Sequence, residues 1–515
     1  MTSQTVPASI HKLVETFEQN LDSYRSSKNE TELRREFLDK FFTALGWDVA
    51  NEKGYDEAHK EVVHEFSVEV SGQQKKADYA FRSGSSFDFL VEAKKPSVKI
   101  ESSQDAAFQI RRYGWSAKLP INILTDFEHF AVYDCRAKPS YSDKAETGRI
   151  LLIHYSEYVE RWDEIAAIFS PEAVRQGSFA KYAEGLKGKR GTADVDDAFL
   201  QEIERWRELL AKNIALRNET IDIAGLNYAV QMTIDRIVFL RICEERGIEP
   251  ENQLQDLITP SEAKGLRDQR KDSSVAGLPQ NDMERGVYQE LCELFKRADT
   301  KYNSGLFHFK QEKEQASRAD DLTLTLAIDD KVLKDIIANL YYPKSPYAFL
   351  YIPADILGQV YERFLGKVIR LTAGHQAKVE EKPEVRKAGG VYYTPTYIVD
   401  YIVKNTVGKL LEGEGQLTAK NAKNAKKELN LSDTSMKLSA SLGGLSGSKS
   451  LTPTDAAKLK IVDPACGSGT FLLGAYQFLL DWHLNWYVND DAEKWEKQKA
   501  IWKAPQGGYA PESGY

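Results

Sequence analysis

The sequence predicts an α/β protein with more than one domain. It indicates a small mixed sheet flanked by helices, a mainly helical middle part, and the start of a doubly wound domain. Between residues 76 and 153, short apolar runs of strand type alternate with helical periodicity. Residues from about 156 to 380 carry mostly helical periodicity. Near the end of the chain, residues 460–462 are predicted to form an apolar strand. Small residues then form a turn into a second apolar run, which is typical of a strand–turn–helix unit.

Length and composition restrict the class of protein. A chain of 515 residues is expected to form roughly three domains. Its 42% hydrophobic and 28% charged residues are typical of a globular cytoplasmic protein. The net charge of −8 gives no global signal for nucleic acid, which is weak evidence because DNA enzymes concentrate lysine and arginine locally. The four separated cysteines argue against a disulfide framework or a zinc site, and no apolar run is long enough to predict a membrane span.

Along the first part of the chain, the spacing of apolar residues changes several times between helical and strand periodicity. Two helices are predicted first, and Gly46 ends the second of them. A turn cluster at 82–86 then joins two strands into a hairpin, and a further helix and three short strands follow. The predicted helices are 9–22, 31–45 and 103–117, and the predicted strands are 76–81, 87–94, 121–124, 129–133 and 150–153.

Two acids and a lysine are predicted to meet on this hairpin. Asp78 lies on one strand, and Glu92 and Lys94, two residues apart, lie on the same face of the other. Two carboxylates can hold Mg²⁺ through oxygen ligands, and a lysine beside them can position or deprotonate a water that attacks a phosphodiester. The alternative is that Asp78 ends a strand in solvent and that Lys94 belongs to a solvated edge.

The sequence Asp78-x13-Glu92-Ala93-Lys94 resembles the PD-(D/E)-x-K nuclease motif, with Ala77 in place of the usual proline. The resemblance implies a restriction-nuclease-like domain over residues 1–158, with Asp78 and Glu92 as Mg²⁺ ligands and Lys94 as a catalytic residue. It also implies an additional carboxylate on an upstream helix, for which Glu32 is the candidate and Glu36 its rival.

A second motif follows downstream. Gln109 and Tyr113 resemble the Gln-x-x-x-Tyr motif that follows the catalytic lysine in restriction-type nucleases. Because residues i and i+4 share one helix face, both side chains could address the DNA backbone or the metal site. The alternative for this pair is a plain amphipathic helix.

Residues 159–384 are predicted to form a helical connector. Its clearest helix is 223–246, two more are predicted at 331–342 and 354–366, and residues 261–282 read as a surface loop. Arg236 and Arg241 could reach DNA, but arginines that are solvated or paired within the protein are the preferred interpretation.

The third predicted domain spans residues 385–515. Tyr393, Thr394 and Pro395 precede a helix, and a proline-opened helix with a threonine cap is the simple explanation. Residues 412–456 are of low complexity and are predicted to be an inserted mobile loop. Residues 389–395 also resemble motif X of the adenine-specific DNA methyltransferases, which packs beside the methionine end of the cofactor.

The strand–turn–helix unit carries a second resemblance to the same enzymes. Its glycines allow the backbone to approach a ligand closely, and an acid at the strand end suits a nucleoside-type cofactor. The run resembles motif I, which holds S-adenosylmethionine. The residues implied in cofactor binding are Asp463, Pro464, Ala465, Cys466, Gly467, Ser468, Gly469, Thr470 and Phe471.

The order of nuclease, connector and methyltransferase start resembles the type IIG restriction–modification enzymes, in which one chain cuts and methylates DNA. The resemblance implies double-stranded DNA as partner, Mg²⁺ and S-adenosylmethionine as cofactors, and transient self-association for cutting both strands. The chain has no Pro-Pro dipeptide and therefore no Asn/Asp-Pro-Pro-Tyr/Phe methylation loop. We therefore expect residues 1–515 to be a fragment that keeps the nuclease site without methylating. The absence of a phosphate-binding loop motif argues against an ATP-driven type I motor subunit.

Two further hypotheses remain open from the sequence. One is a DNA adenine methyltransferase of a defence system, in which the N-terminal sheet is only a docking module. The other is a non-enzymatic DNA-binding scaffold within a larger complex.

Overall fold

The structure is a computed structural model that describes most of residues 6–511. The gaps in this description are residues 27–29, 56–59, 65–76, 84–86, 186–194, 260–285, 303, 311–318, 353–365, 383–393, 395, 412–450, 465, 467–468 and 504–508. The chain divides into two compact units. The first comprises residues 1–356 and 363–389, and the second comprises residues 357–362 and 390–515.

A six-stranded mixed sheet lies at the front of the first unit. Its strands follow one another in chain order across the sheet, and every pair is antiparallel except β3 and β4, which are parallel. The strands are β1 (Val62–His64), β2 (Tyr79–Phe81), β3 (Phe89–Ala93), β4 (Ile121–Thr125), β5 (His129–Asp134) and β6 (Arg149–His154). The five strands predicted from the sequence are confirmed, and β1 is an addition.

Helices cover both faces of this sheet because both faces of its central strands are apolar. The strand β3 is buried at all five positions, as a strand between two helical layers must be. On one face, Tyr79, Phe89 and Val91 pack against the N-terminal helices and against the helices that follow β6. On the other face, Ala80 and Leu90 pack against the helix between β3 and β4.

The helices of this part begin and end close to the predicted positions. The predicted helix over 31–45 is interrupted by a five-residue π-helical turn, Arg34–Leu38. The helices are α1 (Ala8–Ser26), α2 (Glu30–Leu33), α3 (Asp39–Ala44), α4 (Gln104–Ser116), α5 (Trp162–Phe169), α6 (Pro171–Arg175) and α7 (Ser178–Gly185).

The connector is mainly helical, as predicted, with one additional β-hairpin. Arg236 is fully buried and donates to Asp320 at 2.7 Å, to Thr323 at 2.7 Å and to a backbone carbonyl, so its interpretation as a paired arginine is confirmed. The predicted loop 261–282 and nearly all of the predicted helix 354–366 lie outside the described residues. The elements are α8 (Val195–Arg217), α9 (Ile223–Glu245), α10 (Gln253–Ile258), α11 (Val287–Tyr302), α12 (Asp330–Ala338), β7 (Lys367–Leu371) and β8 (Ala377–Glu381).

The second unit is built on two helical segments that pack against each other. The elements are α13 (Thr396–Val403), a π-helical turn (Lys404–Gly408), α14 (Lys409–Leu411), α15 (Pro453–Ala456), α16 (Thr470–Lys497), β9 (Ile501–Lys503) and β10 (Tyr509–Pro511). Val399 and Val403 of α13 share a small core with Ala475 of α16. A Cβ on Gly474 would lie 2.7 Å from Val399 Cγ1, so this glycine permits the close approach of the two helices.

Two predictions for this unit need correction. The strand predicted at 460–462 is not formed, and Val462 is 71% exposed. A strand requires neighbours to pair with, and the described part of this unit pairs only β9 with β10. The low-complexity segment was predicted to reach residue 456, but residues 453–456 form α15 behind the Thr452 cap, and Ala456 is buried in the core. Residues 412–450 lie outside the described part.

In the part of the chain that is described, no helix combines the length and apolar character needed to cross a membrane.

Candidate active site

The hairpin formed by β2 and β3 brings the two predicted acids together. The antiparallel register pairs Tyr79 with Val91. Continued by one residue, it places Asp78 opposite Glu92, so their side chains share the face of the sheet that α4 covers. Both carboxylates are withdrawn from solvent, at 7% exposure for Asp78 and 2% for Glu92. The predicted meeting of these two residues is therefore present in the fold.

Asp78 is held by two donors. Its Oδ2 accepts a hydrogen bond of 2.7 Å from the backbone N–H of Ala93 on the neighbouring strand. Its Oδ1 accepts one of 2.8 Å from Arg34, whose guanidinium also lies 5.1 Å from the centre of the Tyr79 ring. Arg34 begins the π-helical turn, and such turns often occur at functional sites. The sequence reasoning did not select Arg34, although a cation one turn after an acid in the same helix is a visible signal.

Polar side chains contact one of the two carboxylate oxygens of Glu92. Its Oε1 pairs with the ammonium of Lys94 and accepts a hydrogen bond of 2.8 Å from Gln109. Gln109 also donates to the hydroxyl of Tyr113 at 2.9 Å. The other oxygen, Oε2, is buried and has no hydrogen-bond partner among the described residues. A buried oxygen without a hydrogen-bond partner costs free energy, so Glu92 Oε2 is a candidate position for a bound group.

The Gln109 and Tyr113 pair therefore lies at this site, on α4. Ser103 caps the helix by accepting from the N–H of Ala106 at 3.3 Å. Every residue of α4 from Ala106 to Ser116 is buried, which excludes the alternative of a plain amphipathic helix with a solvated face.

Burial dominates the electrostatics of the cluster. It raises the pKa of Glu92 to about 8, against the opposing effect of the Lys94 ammonium, and the nearby Asp78 adds to the increase. The pKa of Lys94 is also raised, because Glu92 and the other carboxylates outweigh the effect of its burial. The lysine is thus held in its charged form beside a carboxyl group whose pKa is raised.

Glu30 is the upstream acid that lies within electrostatic reach of this cluster. Burial raises the pKa of Glu30, Lys94 and Arg34 lower it, and Asp78 raises it. Glu32 points about 200° away around α2, at 100° per residue, and Glu36 accepts a hydrogen bond from Tyr24. Glu30 therefore joins Glu32 and Glu36 as a candidate for the upstream carboxylate. The signal was available, because Glu30 precedes Arg34 by one helical turn.

The donor set fits a hard divalent cation. Asp78 and Glu92 offer carboxylate oxygens, and one of these, Glu92 Oε2, is buried without a partner among the described residues. Within the described ranges, no group of three or more His, Cys, Asp or Glu side chains is arranged to hold a metal. Mg²⁺ typically binds one or two carboxylates and completes its shell with waters and phosphate oxygens, which suits a site with two acids.

The second predicted site is described only in part. Of the residues implied in cofactor binding, Tyr393, Pro395, Ala465, Gly467 and Ser468 lie outside the described residues. Gly469 adopts φ of +79°, a left-handed conformation that favours glycine, and directly precedes α16. The other residues on which the structure gives information are Thr394, Asp463, Pro464, Cys466, Thr470 and Phe471.

The helices that follow the two predicted cofactor segments pack against each other. The helix after Thr394, α13, packs along the first turns of α16, where Phe471 borders the shared core. Thr394 and the turn at Gly469 thus precede the starts of two helices that are in contact.

Comparison with known proteins supports this arrangement of motifs. Residues 27–141 match the family described as the N terminus of the type I restriction enzyme R protein. The type II restriction enzyme and methyltransferase RM.Eco57I of Escherichia coli is 33% identical over 489 residues, which cover 94% of this chain and 42% of that protein. A putative type II restriction enzyme and methyltransferase of Methanocaldococcus jannaschii is 23% identical over 63% of this chain and 27% of its own length.

Two further matches have narrower meaning. The adenine-specific methyltransferase BrxX of Escherichia coli O9:H4 (strain HS) is 24% identical over 43% of this chain and 17% of its own length. The type IIG restriction endonuclease BpuSI aligns with 92% of this chain and 38% of its own at 14% identity, with a TM-score of 0.19, which is too low to establish a common fold.

The chain spans less than half the length of the curated relatives that it matches. The match to RM.Eco57I nevertheless runs through both predicted sites, since it covers nearly the whole chain. Over nearly its whole length, this chain is thus similar to part of a protein that combines a type II restriction enzyme with a methyltransferase.

Proposed function

We propose that the cluster at Asp78 and Glu92 is the active site of a Mg²⁺-dependent nuclease that cleaves double-stranded DNA. The observation that carries this proposal is the buried Glu92 Oε2, which lacks a partner among the described residues and belongs to an acid opposite Asp78. These two carboxylates would hold Mg²⁺, which when bound supplies a Lewis acid for the phosphate and a more acidic water.

The side chains of the protein have distinct roles in this proposal. Gln109 orients Glu92 by donating to Oε1, so that Oε2 remains available. Lys94 keeps its positive charge beside Glu92, and its side chain retains 17% exposure, so it can reach a phosphate or a water at the surface. Arg34 neutralises Asp78 in the absence of other cations, and Glu30 adds negative charge at the same edge.

We further propose that the turn from Asp463 to Phe471 binds S-adenosylmethionine together with Tyr393, Thr394 and Pro395. The left-handed Gly469, which provides no side-chain cap for the long helix α16, supports this proposal, since the N-terminus of a helix is a favourable place for a polar or anionic ligand. Binding of this cofactor is the part of methyl transfer that we assign to residues 393–395 and 463–471. Transient self-association for cutting both strands belongs to the same proposal.

Plasmid cleavage with Mg²⁺ and S-adenosylmethionine tests the nuclease proposal in the protein as its gene encodes it. Lys94→Ala is expected to abolish cutting, whereas Lys95→Ala, which changes the exposed neighbouring lysine, is expected to keep it. If both Lys94→Ala and Glu92→Ala still cut, the nuclease site lies elsewhere.

Metal titration separates this proposal from the docking-module alternative. The nuclease is expected to bind Mn²⁺ in a way that depends on Asp78 and Glu92. A protein that binds no Mn²⁺ there and does not cut would instead be a methyltransferase with a docking domain, which the similarity to an adenine-specific methyltransferase keeps as the second candidate.

A further inference from the structure

A short segment of the connector lies directly behind the acidic cluster. Residues 347–351 follow α12 and belong to the same compact unit as the sheet. Tyr347, Ala348 and Phe349 are almost completely buried. Ala348 belongs to the same core as Ala80 and Leu90, on the face of the sheet that also carries Glu92. We call this stretch the 347–351 segment.

The segment is attached to α4 by two polar contacts. The backbone N–H of Ala348 donates to Ser116 Oγ at 2.8 Å. The carbonyl of Tyr347 accepts from Arg112, which is buried and whose pKa is lowered by that burial. Arg112 lies between Gln109 and Tyr113 in the helix and also faces Glu245 of α9, with 3.7 Å between the charged atoms. The helix that carries Gln109 is thereby fixed to the connector.

Tyr351 makes the contact nearest the acids. Its hydroxyl accepts a hydrogen bond of 2.7 Å from the backbone N–H of Ala77, the residue that precedes Asp78. Its ring lies against Tyr113, with ring centres 5.0 Å apart. Burial raises the pKa of the Tyr351 phenol, and both Glu92 and Asp78 raise it further, so the hydroxyl is within electrostatic reach of both acids.

We infer that Tyr351 is a positioning residue of the nuclease site, which fixes the backbone before Asp78 and the helix that carries Gln109 in a single contact region. This inference rests on the proposed nuclease function. It assigns part of the site to the connector, some 190 residues beyond the end predicted for the nuclease domain at residue 158. Tyr351 does not touch the reacting atoms. Its effect is to keep the two metal-binding carboxylates at a constant separation.

The structure supplies a matched control in the same segment. The hydroxyl of Tyr347 is also buried, but it has no hydrogen-bond partner among the described residues. Tyr351→Phe and Tyr347→Phe therefore make the same chemical change at positions four residues apart. Only Tyr351→Phe removes the hydroxyl that accepts a hydrogen bond from the backbone N–H of Ala77.

The test measures plasmid cleavage by the protein as its gene encodes it, over a range of Mg²⁺ concentrations. Tyr351→Phe is expected to raise the Mg²⁺ concentration for half-maximal cleavage about tenfold, the effect of one buried hydrogen bond. The rate at saturating Mg²⁺ is expected to fall less. Tyr347→Phe is expected to change neither quantity. A merely structural role for Tyr351 would lower the thermal unfolding midpoint without moving the Mg²⁺ dependence, and that result overturns the inference.

A second variant decides the matter if Tyr351→Phe does not fold. Ser116→Ala removes the acceptor of the Ala348 N–H and loosens the segment without touching Ala77. It is expected to shift the Mg²⁺ dependence in the same direction, by about threefold for a partly compensated hydrogen bond. An unchanged Mg²⁺ dependence contradicts the inference. A wild-type protein that does not cut would instead contradict the proposed nuclease function, so the two failures can be told apart.

Discussion

The two predicted sites of this chain differ in how completely the fold supports them. Asp78 directly precedes β2, a strand with neighbours on both sides, and is fixed by two donors from different elements. Asp463 follows a stretch that was predicted to be a strand but has no strand neighbour in the described part of its unit. Helices, whose backbone hydrogen bonds are internal, form in both places. The difference shows that a strand-end carboxylate is positioned by the strands beside it more than by its own motif.

The largest expected effect is the loss of cleavage on substitution of Glu92, and it distinguishes the site at Asp78 and Glu92 from the site at Asp463. Glu92→Ala is expected to reduce cleavage by about a thousandfold, within the range typical of lost general acid–base or metal-binding groups, and to abolish Mn²⁺ binding. Asp463→Ala is expected to leave Mn²⁺ binding unchanged and to weaken S-adenosylmethionine binding. Isothermal titration with each ligand measures both. A loss of Mn²⁺ binding in Asp463→Ala would show that the two sites are not independent.

The pH dependence of metal binding is the next largest effect. Because the pKa of Glu92 is raised to about 8, a metal must displace one proton below that pH. The Mn²⁺ affinity is expected to rise about tenfold per pH unit between pH 6 and 8 and to level off above, as one released proton requires.

The stability of the metal-free protein is expected to change with pH in the opposite direction to the Mn²⁺ affinity. An acid with a raised pKa in the folded state stabilises the metal-free protein fully below its unfolded value near 4.5, and this contribution is lost as the pH rises towards 8. Glu92→Gln, which cannot ionise, is expected to remove the pH dependence of the Mn²⁺ affinity and the pH dependence of stability that come from Glu92. A pH-independent Mn²⁺ affinity in the wild-type protein would contradict the assignment of Glu92.

A smaller effect distinguishes the upstream acids. Glu30→Gln is expected to lower cleavage about tenfold, because the charge of Glu30 acts on Lys94 and Asp78 in a partly buried setting. Glu32→Gln, the same change two residues along the same helix, is expected to change cleavage by less than about twofold, since it lies on another side of the helix. Equal effects would return the upstream role to the residue first predicted.

The smallest expected effect concerns the packing of the second unit. Gly474→Ala places a Cβ at 2.7 Å from Val399, so α13 and α16 must separate slightly. The unfolding free energy of this unit is expected to fall by about 1 kcal/mol, the overpacking cost less the gain in helix propensity. Gly374→Ala, which meets nothing within 4 Å, is the control. Thermal unfolding followed by limited proteolysis measures the change.

Much of the nuclease site could be predicted because its signals are local. The alternation of apolar residues defines β2 and β3, and the spacing of Asp78, Glu92 and Lys94 then determines which side chains share a face. Gln109 and Tyr113 were selected by their resemblance to a nuclease motif, and helical spacing then placed both side chains on one face of α4. For the upstream acid, the sequence reasoning weighed Glu32 against Glu36 and did not consider Glu30. Which of these acids faces the cluster depends on how α2 is rotated against the sheet, and the spacing of residues within α2 does not determine that rotation.

The contacts that sequence reasoning missed are long-range. Tyr351 meets Ala77 across 274 residues, and no periodicity in either segment indicates that pairing. The predicted strand at 460–462 failed for a related reason, since its apolar residues satisfy the pattern of a strand while the structure shows no partner for them among the described residues.

The attachment of the 347–351 segment to α4 has a consequence for protein engineering. Exchange of the cutting module between relatives would naturally be attempted at residue 158, after the last strand of the sheet. In such a chimera, residues 1–158 of one protein would contact the 347–351 segment of another. The tyrosine that contacts the chain before Asp78 and the carbonyl that contacts Arg112 would then come from a different sequence. Chimeras that carry residues 340–352 along with residues 1–158 preserve these contacts, and they are therefore the versions in which a borrowed cutting specificity is expected to survive.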